Sequence, residues 1–155
     1  MKEERRGVIP MIAYENGVAA MEWLAHAFGF TERVRVVGAD GRLSHGEMET
    51  GSGIIMLASP TPDYEDPVKH RRHCDRADRW SRVPWVIDGV LVLVTDVERH
   101  FLRAKAAGAT ILSELESGGP GWRYRAEDLA GHRWMFLERP REAAYNTSQV
   151  NGGMS

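Results

Sequence analysis

The chain has 155 residues, 43% of them hydrophobic and 27% charged, which suits one ordinary globular domain with a hydrophobic core. Its 20 basic and 22 acidic residues give a formal net charge of −2, which argues against nucleic acid or an anionic membrane as a partner. No apolar run approaches the roughly 18 residues of a membrane span, and the first residues, MKEERRG, lack the apolar core of a signal peptide. The only cysteine, Cys74, cannot form an internal disulfide, so we expect a cytoplasmic protein.

The first part of the chain predicts one strand, one helix and three further strands. Apolar residues at helical spacing between 17 and 28 predict a helix that ends at Gly29. Alternation over 31–37 predicts a strand, and Asp40-Gly41 is typical of the hairpin turn that follows it. The predicted elements are strand 8–14, helix 17–28, and strands 31–37, 43–50 and 53–59.

The same order of elements returns in the second half of the chain. Gly29 and Gly108, which end the two predicted helices, are 79 positions apart, and so are Met56 and Met135 in the last strands. One such module is a sheet with a helix on one side and cannot cover both of its faces, so two modules are expected to pair. The second set comprises strand 86–95, helix 97–107, strand 110–115, and a closing hairpin of strands 122–126 and 132–138.

We therefore predict an α+β fold in which two βαβββ modules, 8–59 and 85–138, form a single domain over residues 7–138. Their curved mixed sheets would enclose a cleft, with the helices on the outside, and a cleft between sheets is a natural ligand site. The tail, 139–155, is expected to be flexible. The connection 60–84 is longer than most connections, so it is either a functional loop or a mobile linker.

This connection contains His70, His73 and Cys74, which form a loose pattern of metal-ligand residue types. A zinc site of this kind normally has further ligands at a matching spacing, and the sequence has no such second half. We therefore do not predict a metal site from these three residues.

The closing hairpin carries the strongest family resemblance. Gly131 suits a turn position that needs positive φ, and Asp128 can bond its own backbone there. The chain resembles the glyoxalase/bleomycin-resistance/extradiol-dioxygenase superfamily, also called vicinal oxygen chelate proteins, and within it the PhnB-like subgroup. The resemblance covers about residues 7 to 138. The matching segments are Gly121 to Arg125, Glu127-Asp128, Gly131 to Trp134, Lys105 to Ala109 and His45 to Met48.

Metal-dependent members of this family hold one divalent ion with His, Gln or Glu side chains from the first and last strands of each module. The matching positions here are about Ile9 and Gly89 in the first strands, and Met56 and Met135 in the last strands. None of these is a good ligand for Mg²⁺, Mn²⁺, Fe²⁺ or Zn²⁺, because a thioether is a soft donor suited to copper(I). A register shift of one residue would add only Asp88 as a donor. The resemblance therefore implies a protein without the usual metal centre, and we expect no cofactor.

His45 and Glu47 lie two residues apart in a predicted strand, so their side chains share one face of the sheet. On a cleft-facing surface, they could belong to a displaced metal site or act as an acid–base pair. They could equally be a polar pair that lines the pocket. We predict that both contact a ligand, and we treat them as weak candidates for catalysis.

Aromatic residues in the second module predict the character of the ligand. Alternation places Trp122 and Tyr124 on one face of their strand, and Trp134 and Phe136 on one face of the next. If these faces line the cleft, they suit a flat or apolar ligand, and Arg125 could hold its carboxylate or phosphate. Ordinary core packing is the alternative. The predicted ligand-binding residues are Trp122, Tyr124, Arg125, Trp134, His45 and Glu47.

Other polar residues give little indication of chemistry. His26 and His100 have neighbours typical of a helix surface, and we predict that both are exposed to solvent. His132 follows the turn glycine and is predicted to cap the hairpin, with a role in the pocket as the alternative. The sequence contains no Ser-His-Asp spacing, phosphate loop or dinucleotide fingerprint.

Three functions are consistent with the sequence. The first, which we favour, is a metal-free homodimeric protein that binds a small, planar or apolar molecule in the inter-module cleft, as drug-sequestering members of the family do. The alternative is a metal-dependent lyase, isomerase or dioxygenase with a displaced site around His45 and Glu47. The third is a metal-free enzyme in which Glu47, His45 or Tyr124 is the acid or base. The sequence leaves open whether the protein is an enzyme, and whether the modules pair within one chain or between two.

Overall fold

The structure is a computed structural model that describes residues 7–119 and 121–139. It contains two copies of a βαβββ unit, joined by a segment with two short helices. The first unit comprises β1 (Met11–Ala13), α1 (Gly17–Phe28), β2 (Thr31–Val37), β3 (Leu43–Glu49) and β4 (Ile54–Ala58). The joining segment contains α2 (Pro67–His70) and α3 (Asp75–Ser81). The second unit comprises β5 (Gly89–Val94), α4 (Val97–Ala106), β6 (Thr110–Gly118), β7 (Gly121–Glu127) and β8 (Arg133–Glu138).

Each unit forms a four-stranded mixed sheet with one parallel pair of strands. The strand order is β1-β4-β3-β2 in the first sheet and β5-β8-β7-β6 in the second, so the two units share one topology. The predicted repeat and the predicted α+β architecture are therefore confirmed. Within the described chain the two sheets are not hydrogen-bonded to each other, so they stay open rather than closing into one barrel.

The two main helices begin and end within one residue of their predicted positions. Asn16 and Asp96 are their N-cap residues, and each side-chain oxygen accepts a hydrogen bond of 3.0 Å from a first-turn backbone N–H, of Ala19 and Arg99 respectively. Gly29 adopts a left-handed conformation with φ of 71°, which ends α1 without the steric cost of a side chain. No helix in the described residues combines the length and apolar character needed to cross a membrane.

One hydrophobic core joins the two units through the helix side of both sheets. Phe28 lies 4.7 Å from Phe136, and Phe30 lies 5.4 Å from Trp134, measured between ring centroids. All four side chains are at most 4% exposed. Because burial of a large apolar side chain contributes roughly 1.5–3 kcal/mol, this aromatic cluster is a major stabilising contact between the units.

The joining segment packs against the second unit. The backbone N–H of Val68 donates to the carbonyl of Ala130 at 2.8 Å, and the Arg133 guanidinium donates to the carbonyl of Val83 at 2.7 Å. Direct hydrogen bonds therefore connect the joining segment to the second unit at two places. The two short helices in this loop have no clear signal in the sequence pattern.

Differences from the predicted boundaries lie mainly at strand ends. β1 has three residues where the sequence predicts 8–14, and β5 begins at Gly89 rather than at residue 86. β6 continues to Gly118, three residues beyond its predicted end. Of the tail predicted to be flexible, residues 140–155 lie outside the described part of the chain.

Candidate ligand-binding site

Each sheet has one face against its helix and a second face, here called the inner face, that points away from the helix. In the first sheet Gly46 faces α1, since a Cβ atom at this position would lie 2.8 Å from the Met21 sulfur. Strand alternation therefore places His45 and Glu47 on the inner face, and the prediction that they share one face is confirmed. His45 Nε2 lies 3.0 Å from Glu47 Oε1, and Glu47 is only 3% exposed. The pair is thus a hydrogen-bonded unit with a buried carboxylate.

In the second sheet, the ring of Tyr124 lies 5.1 Å from that of Phe101 in α4. Tyr124 therefore points to the helix side, and alternation places Arg125 on the inner face. The nearest carboxylate oxygen to the Arg125 guanidinium is Glu116 Oε1 at 3.6 Å, and the side chain is 21% exposed. Arg125 is accordingly a partly accessible positive charge with a loosely held counter-ion.

The centres of the two inner faces are equivalent rows of cross-strand neighbours. The rows are Met11–Met56–Glu47 and Leu91–Met135–Arg125. In the first strands, the residues beside the two central methionines are therefore Met11 and Leu91. The sequence comparison pointed instead to Ile9, which precedes β1, and to Gly89, which is the first residue of β5. The middle of each row is a thioether, so neither row resembles a set of hard metal ligands.

A pocket of ≈ 250 Å³ lies between the inner face of the second sheet and the end of the joining segment. Its lining combines the apolar residues Trp85, Leu91 and Met135 with the basic residues Arg125 and Arg133. Trp85 is 71% exposed, which is unusual for a residue of its size. The pocket therefore offers a flat aromatic surface beside positive charge.

A larger groove of ≈ 590 Å³ runs between the two sheets. Ile9, Pro10 and Ile54 line it from the first unit, and Leu91 and Leu93 line it from the second. Leu91 borders both the groove and the smaller pocket, so the two depressions adjoin each other. The groove corresponds to the cleft expected between the modules.

A buried ion cluster anchors the joining segment beside the pocket. Arg71 Nη1 lies 2.7 Å from Glu127 Oε2, and Arg133 Nε lies 3.8 Å from the same oxygen. Arg133 also donates to the carbonyls of Ser81 and Val83, while its Nε has no hydrogen-bond partner among the described residues. Burial lowers the pKa of Arg133, although it remains charged at neutral pH. Arg133 therefore mainly connects the second sheet to the joining segment. Arg125 is the more accessible of the two arginines.

The placement of the aromatic residues corrects the expectation that they line the cleft. Tyr124 is 0% and Trp134 1% exposed, because their faces pack against the helices in the core. Trp134 borders the 250 Å³ pocket but presents almost no surface to it. Trp122 is 51% exposed but lies in a separate depression beside Glu98 and Glu138. Tyr124 is thus also excluded as an acid or base in contact with a ligand.

His100 contradicts the prediction of an exposed helical histidine. Its Nε2 lies 2.9 Å from the carbonyl of Phe28, and its Nδ1 lies 2.5 Å from the Tyr124 hydroxyl. The neutral ring therefore donates from Nε2 and accepts at Nδ1. Its centroid is 4.0 Å from that of Phe136, and burial lowers the pKa of His100 to about 4. The sequence offers no signal for this contact, because the partners are 24 and 72 residues away.

The closing turn confirms the predicted roles of Gly131 and Asp128. Gly131 has φ of 91°, and Asp128 Oδ1 accepts from the backbone N–H groups of residues 130 and 132 at 3.0 Å. The second carboxylate oxygen also accepts from the Tyr14 hydroxyl at 2.7 Å and from Trp134 Nε1 at 3.1 Å. Burial raises the pKa of Asp128, and burial together with the nearby carboxylate raises the pKa of Tyr14. His132 Nε2 donates to the carbonyl of Ala13 at 2.7 Å, so this turn also ties the second unit to β1.

Curated relatives match almost the whole chain. The uncharacterized protein Mb0911c of Mycobacterium bovis is 30% identical over 151 residues, which cover 94% of this chain and 90% of the relative. The uncharacterized protein Rv0887c of Mycobacterium tuberculosis is also 30% identical over 151 residues, which cover 94% of this chain and 81% of the relative.

Solved structures share the fold. TioX from Micromonospora sp. ML1 is 29% identical with a TM-score of 0.63, over 88% of this chain and 98% of TioX. The bleomycin-binding protein of Streptomyces verticillus, crystallised with copper(II)-bleomycin, is 15% identical with a TM-score of 0.54, over 87% of this chain and 97% of that protein. The fosfomycin resistance protein FosX of Listeria monocytogenes is 11% identical with a TM-score of 0.58, over 88% and 95%. The latter two likenesses concern the fold alone.

A family profile described as the Glyoxalase/Bleomycin resistance protein/Dioxygenase superfamily matches residues 10–136. This range begins just before β1 and ends within β8, so it includes both βαβββ units. The duplicated topology and the matched relatives agree with this profile. The chain belongs to the glyoxalase/bleomycin resistance protein/dioxygenase superfamily.

Proposed function

We propose that this protein binds a small, planar or apolar molecule with an acidic group on its inner faces, and that this ligand site needs no metal ion. The observation that carries the proposal is the placement of Met56 and Met135 at equivalent central positions of the two inner faces. A thioether is a poor ligand for hard or borderline divalent ions. The same group is polarizable and makes favourable contacts with aromatic rings.

The residues around the methionines support a site without a metal. A catalytic divalent ion needs several N or O donors around an open coordination position. The adjacent first-strand residues, Met11 and Leu91, add only sulfur and hydrocarbon. In the second sheet, Arg125 is the cross-strand neighbour of Met135, and its fixed positive charge would repel a cation.

The pocket beside Trp85 has the chemistry of an aromatic anion site. The exposed indole of Trp85 provides a stacking surface, and Met135 adds a polarizable thioether that can contact an aromatic ring. Arg125 can hold a carboxylate, sulfonate or phosphate in a bidentate fork. A protein of this kind would sequester its ligand, and within the superfamily the bleomycin-binding protein of Streptomyces verticillus offers a precedent.

We further propose that two copies of the chain form a homodimer that closes the site. Met11 is 83%, Leu91 52% and Trp85 71% exposed, which is a large apolar surface for a monomer. Glu47 and Arg125 occupy equivalent positions with opposite charge. The exposed apolar residues of one copy can pack against those of the other, and a twofold axis repeats the contact. Sedimentation velocity should give a dimer, and Leu91→Asp should give a monomer.

The binding proposal can be tested with 8-anilinonaphthalene-1-sulfonate, which combines flat rings with an acidic group. We expect saturable fluorescence enhancement that persists in EDTA. Trp85→Ala should weaken binding by about 10-fold, because the stacking surface is lost. The matched control is Trp80→Ala, since Trp80 is also exposed, at 41%, but does not line the pocket. Trp122→Ala serves as a second control in a different depression.

The role of Arg125 can be isolated with N-phenyl-1-naphthylamine, which has the same rings without the sulfonate. Arg125→Met should weaken binding of the sulfonate by about 10-fold and leave binding of the neutral probe within about twofold. Complete loss of binding in EDTA would overturn the proposal. Equal affinity of the wild type, Trp85→Ala and Arg125→Met for the sulfonate would also overturn it.

The second candidate is a metal-dependent lyase, isomerase or dioxygenase with a site around His45 and Glu47. It is favoured by the 3.0 Å contact between the imidazole and the buried carboxylate, since such a pair can orient a ligand or move a proton. It predicts a stoichiometric divalent ion in the purified protein that is lost in both His45→Asn and Glu47→Gln. Elemental analysis that finds the same metal content in these variants and in the wild type would end this candidate.

A further inference from the structure

The joining segment brings together three potential metal-ligand side chains that no part of the proposed ligand site uses. The ligand atoms of Glu65, His70 and His73 all lie within 4.8 Å of one another. Glu65 Oε2 is 2.6 Å from His73 Nε2 and 3.7 Å from His70 Nδ1. The sequence pattern suggested Cys74 as the companion of the two histidines, whereas the structure places Glu65 there.

The backbone holds these three side chains in position. His70 is the last residue of α2, and the N–H of His73 donates to the carbonyl of His70 at 3.2 Å, so the two imidazoles lie on the same side of a helical turn. Glu65 is fixed by the next residue, Asp66, because Asp66 N–H and its carboxylate both bond Glu15. The backbone that carries the cluster is therefore held by hydrogen bonds, while the exposed imidazole side chains can rotate.

The geometry points to a binding site for Zn²⁺ formed by the two imidazoles and the Glu65 carboxylate, with water in the remaining coordination position. Zinc accepts this mixture of nitrogen and oxygen ligands. Tetrahedral bonds of about 2.0–2.2 Å place neighbouring ligand atoms about 3.4 Å apart, and the observed distances bracket this value. The side chains of His70 and His73 are 54% and 59% exposed, so small rotations can bring their nitrogens to that spacing.

The surrounding charges permit a cation at this place. Lys69 Nζ lies 3.1 Å from Glu15, and Arg71 Nη1 lies 2.7 Å from Glu127, so both cations are neutralised by other carboxylates. Arg72 is exposed, where water and salt screen its charge. The ion would therefore meet one carboxylate and two imidazoles in a locally balanced environment.

Zinc at this site would fasten the joining segment. The ion would link Glu65, which precedes α2, to the turn that follows α2, and α2 is bonded through Val68 to the closing turn. None of the three ligands lines the 250 Å³ pocket, so the site is independent of the proposed ligand binding. Its expected effect is a higher melting temperature of the full chain with Zn²⁺, because an ion that binds only the folded state stabilises it.

The test is titration of the full chain with Zn²⁺ by isothermal calorimetry. We expect saturable binding of one ion per chain. His70→Ala, His73→Ala and Glu65→Gln should each weaken it by at least about 10-fold, since each removes one of three ligands. The matched controls are Cys74→Ser, next to the cluster, and His26→Ala, an exposed histidine on α1, and both should bind as the wild type does.

Cobalt(II) substitution gives a second measurement that does not depend on the folding of any variant. A site of two imidazoles and a carboxylate predicts visible d–d bands without the intense near-ultraviolet thiolate band that Cys74 would add. The proposal is overturned if the wild type does not bind Zn²⁺, or if the His70→Ala and His73→Ala variants bind it unchanged. Loss of binding in His26→Ala, or a thiolate band with cobalt, would also overturn it.

Discussion

The two inner faces of this protein have the same backbone and opposite chemistry. In both sheets a methionine occupies the centre, with an apolar residue of the first strand on one side. On the other side the first sheet has Glu47 and the second has Arg125. The duplicated fold therefore fixes where a side chain points, while the residue type decides whether that position attracts a cation or an anion. The two faces therefore carry opposite charges at equivalent positions.

The turns that join the last two strands of each unit differ in a similar way. In the first unit, Thr50 Oγ1 accepts from the N–H of Gly53 at 3.0 Å in an exposed turn. In the second unit, the corresponding residue is Asp128, whose carboxylate is buried and reaches Tyr14 of the other unit. The turn at Thr50 only closes its hairpin, whereas the turn at Asp128 also connects the two units by a hydrogen bond.

The largest expected effect comes from breaking the second of these turns. Asp128→Ala removes the acceptor of four hydrogen bonds and leaves the Tyr14 hydroxyl and Trp134 Nε1 buried without it. We expect a loss of about 3 kcal/mol in the free energy of unfolding, because unsatisfied buried donors cost about 1–3 kcal/mol each and the site relaxes in part. Urea unfolding followed by circular dichroism measures this loss.

Two variants make the comparison between the turns decisive. Thr50→Ala should cost only about 0.5 kcal/mol, since its contacts are exposed to water. Asp128→Asn retains a carbonyl acceptor and should fall between the two alanine variants. If Asp128→Ala and Thr50→Ala lowered the free energy of unfolding by equally small amounts, the closing turn would not stabilise the contact between the units.

The main helices also differ at the fourth position after their N-caps, which is Ala20 in α1 and His100 in α4. Ala20 is 0% exposed and simply fills space, whereas His100 is a titratable group packed on Phe136. Burial lowers the pKa of His100 from 6.5 to about 4. Between these pH values the unfolded chain binds a proton that the folded chain excludes, so stability is complete above about pH 6.5 and is lost as the pH falls towards 4.

We expect this linkage to cost roughly 2–3 kcal/mol at about pH 4 relative to pH 7. His100→Gln, which can still donate to the Phe28 carbonyl, should remove that part of the pH dependence. The measurement is the difference between the unfolding free energies of the wild type and the variant from about pH 4 to 7. Because Asp128 has a raised pKa and contributes with the opposite sign, the difference is more informative than either curve alone. His26→Gln, an exposed change on α1, is the control, and an identical effect of both variants would refute the prediction.

Local patterns were sufficient to predict the repeat and the positions of both main helices. The spacing of apolar residues and the helix-ending Gly29 are local features, so a short window of sequence contains them. The alternation that pairs His45 with Glu47 is local as well. It predicts which side chains share a face, and the structure confirms this for His45 and Glu47.

Alternation does not predict whether a given face of a strand points to the helix or to the inner face of the sheet. Trp122, Tyr124 and Trp134 alternate as expected, yet Tyr124 and Trp134 are buried in the core on the helix side of their sheet. Trp122 is 51% exposed and lies in a separate depression beside Glu98 and Glu138. The burial of His100 and the position of Glu65 beside two histidines depend on contacts between distant segments. The joining loop is ordered by contacts with the closing turn, and no local residue pattern contains that information.

A smaller but more specific effect should follow from placing a carboxylate at the centre of each inner face. Met56→Glu would add a third oxygen or nitrogen donor beside the cross-strand neighbour Glu47 and its partner His45. Met135→Glu would place its carboxylate beside Arg125, which would pair with it directly. We therefore expect Met56→Glu to gain Zn²⁺ affinity by at least about 10-fold, and Met135→Glu to gain none. Calorimetry in a His70→Ala, His73→Ala background removes binding at the joining segment. Equal gains in both variants would mean that the charge of the neighbouring strand does not control what these faces bind, and the contrast between Glu47 and Arg125 would then carry no functional weight.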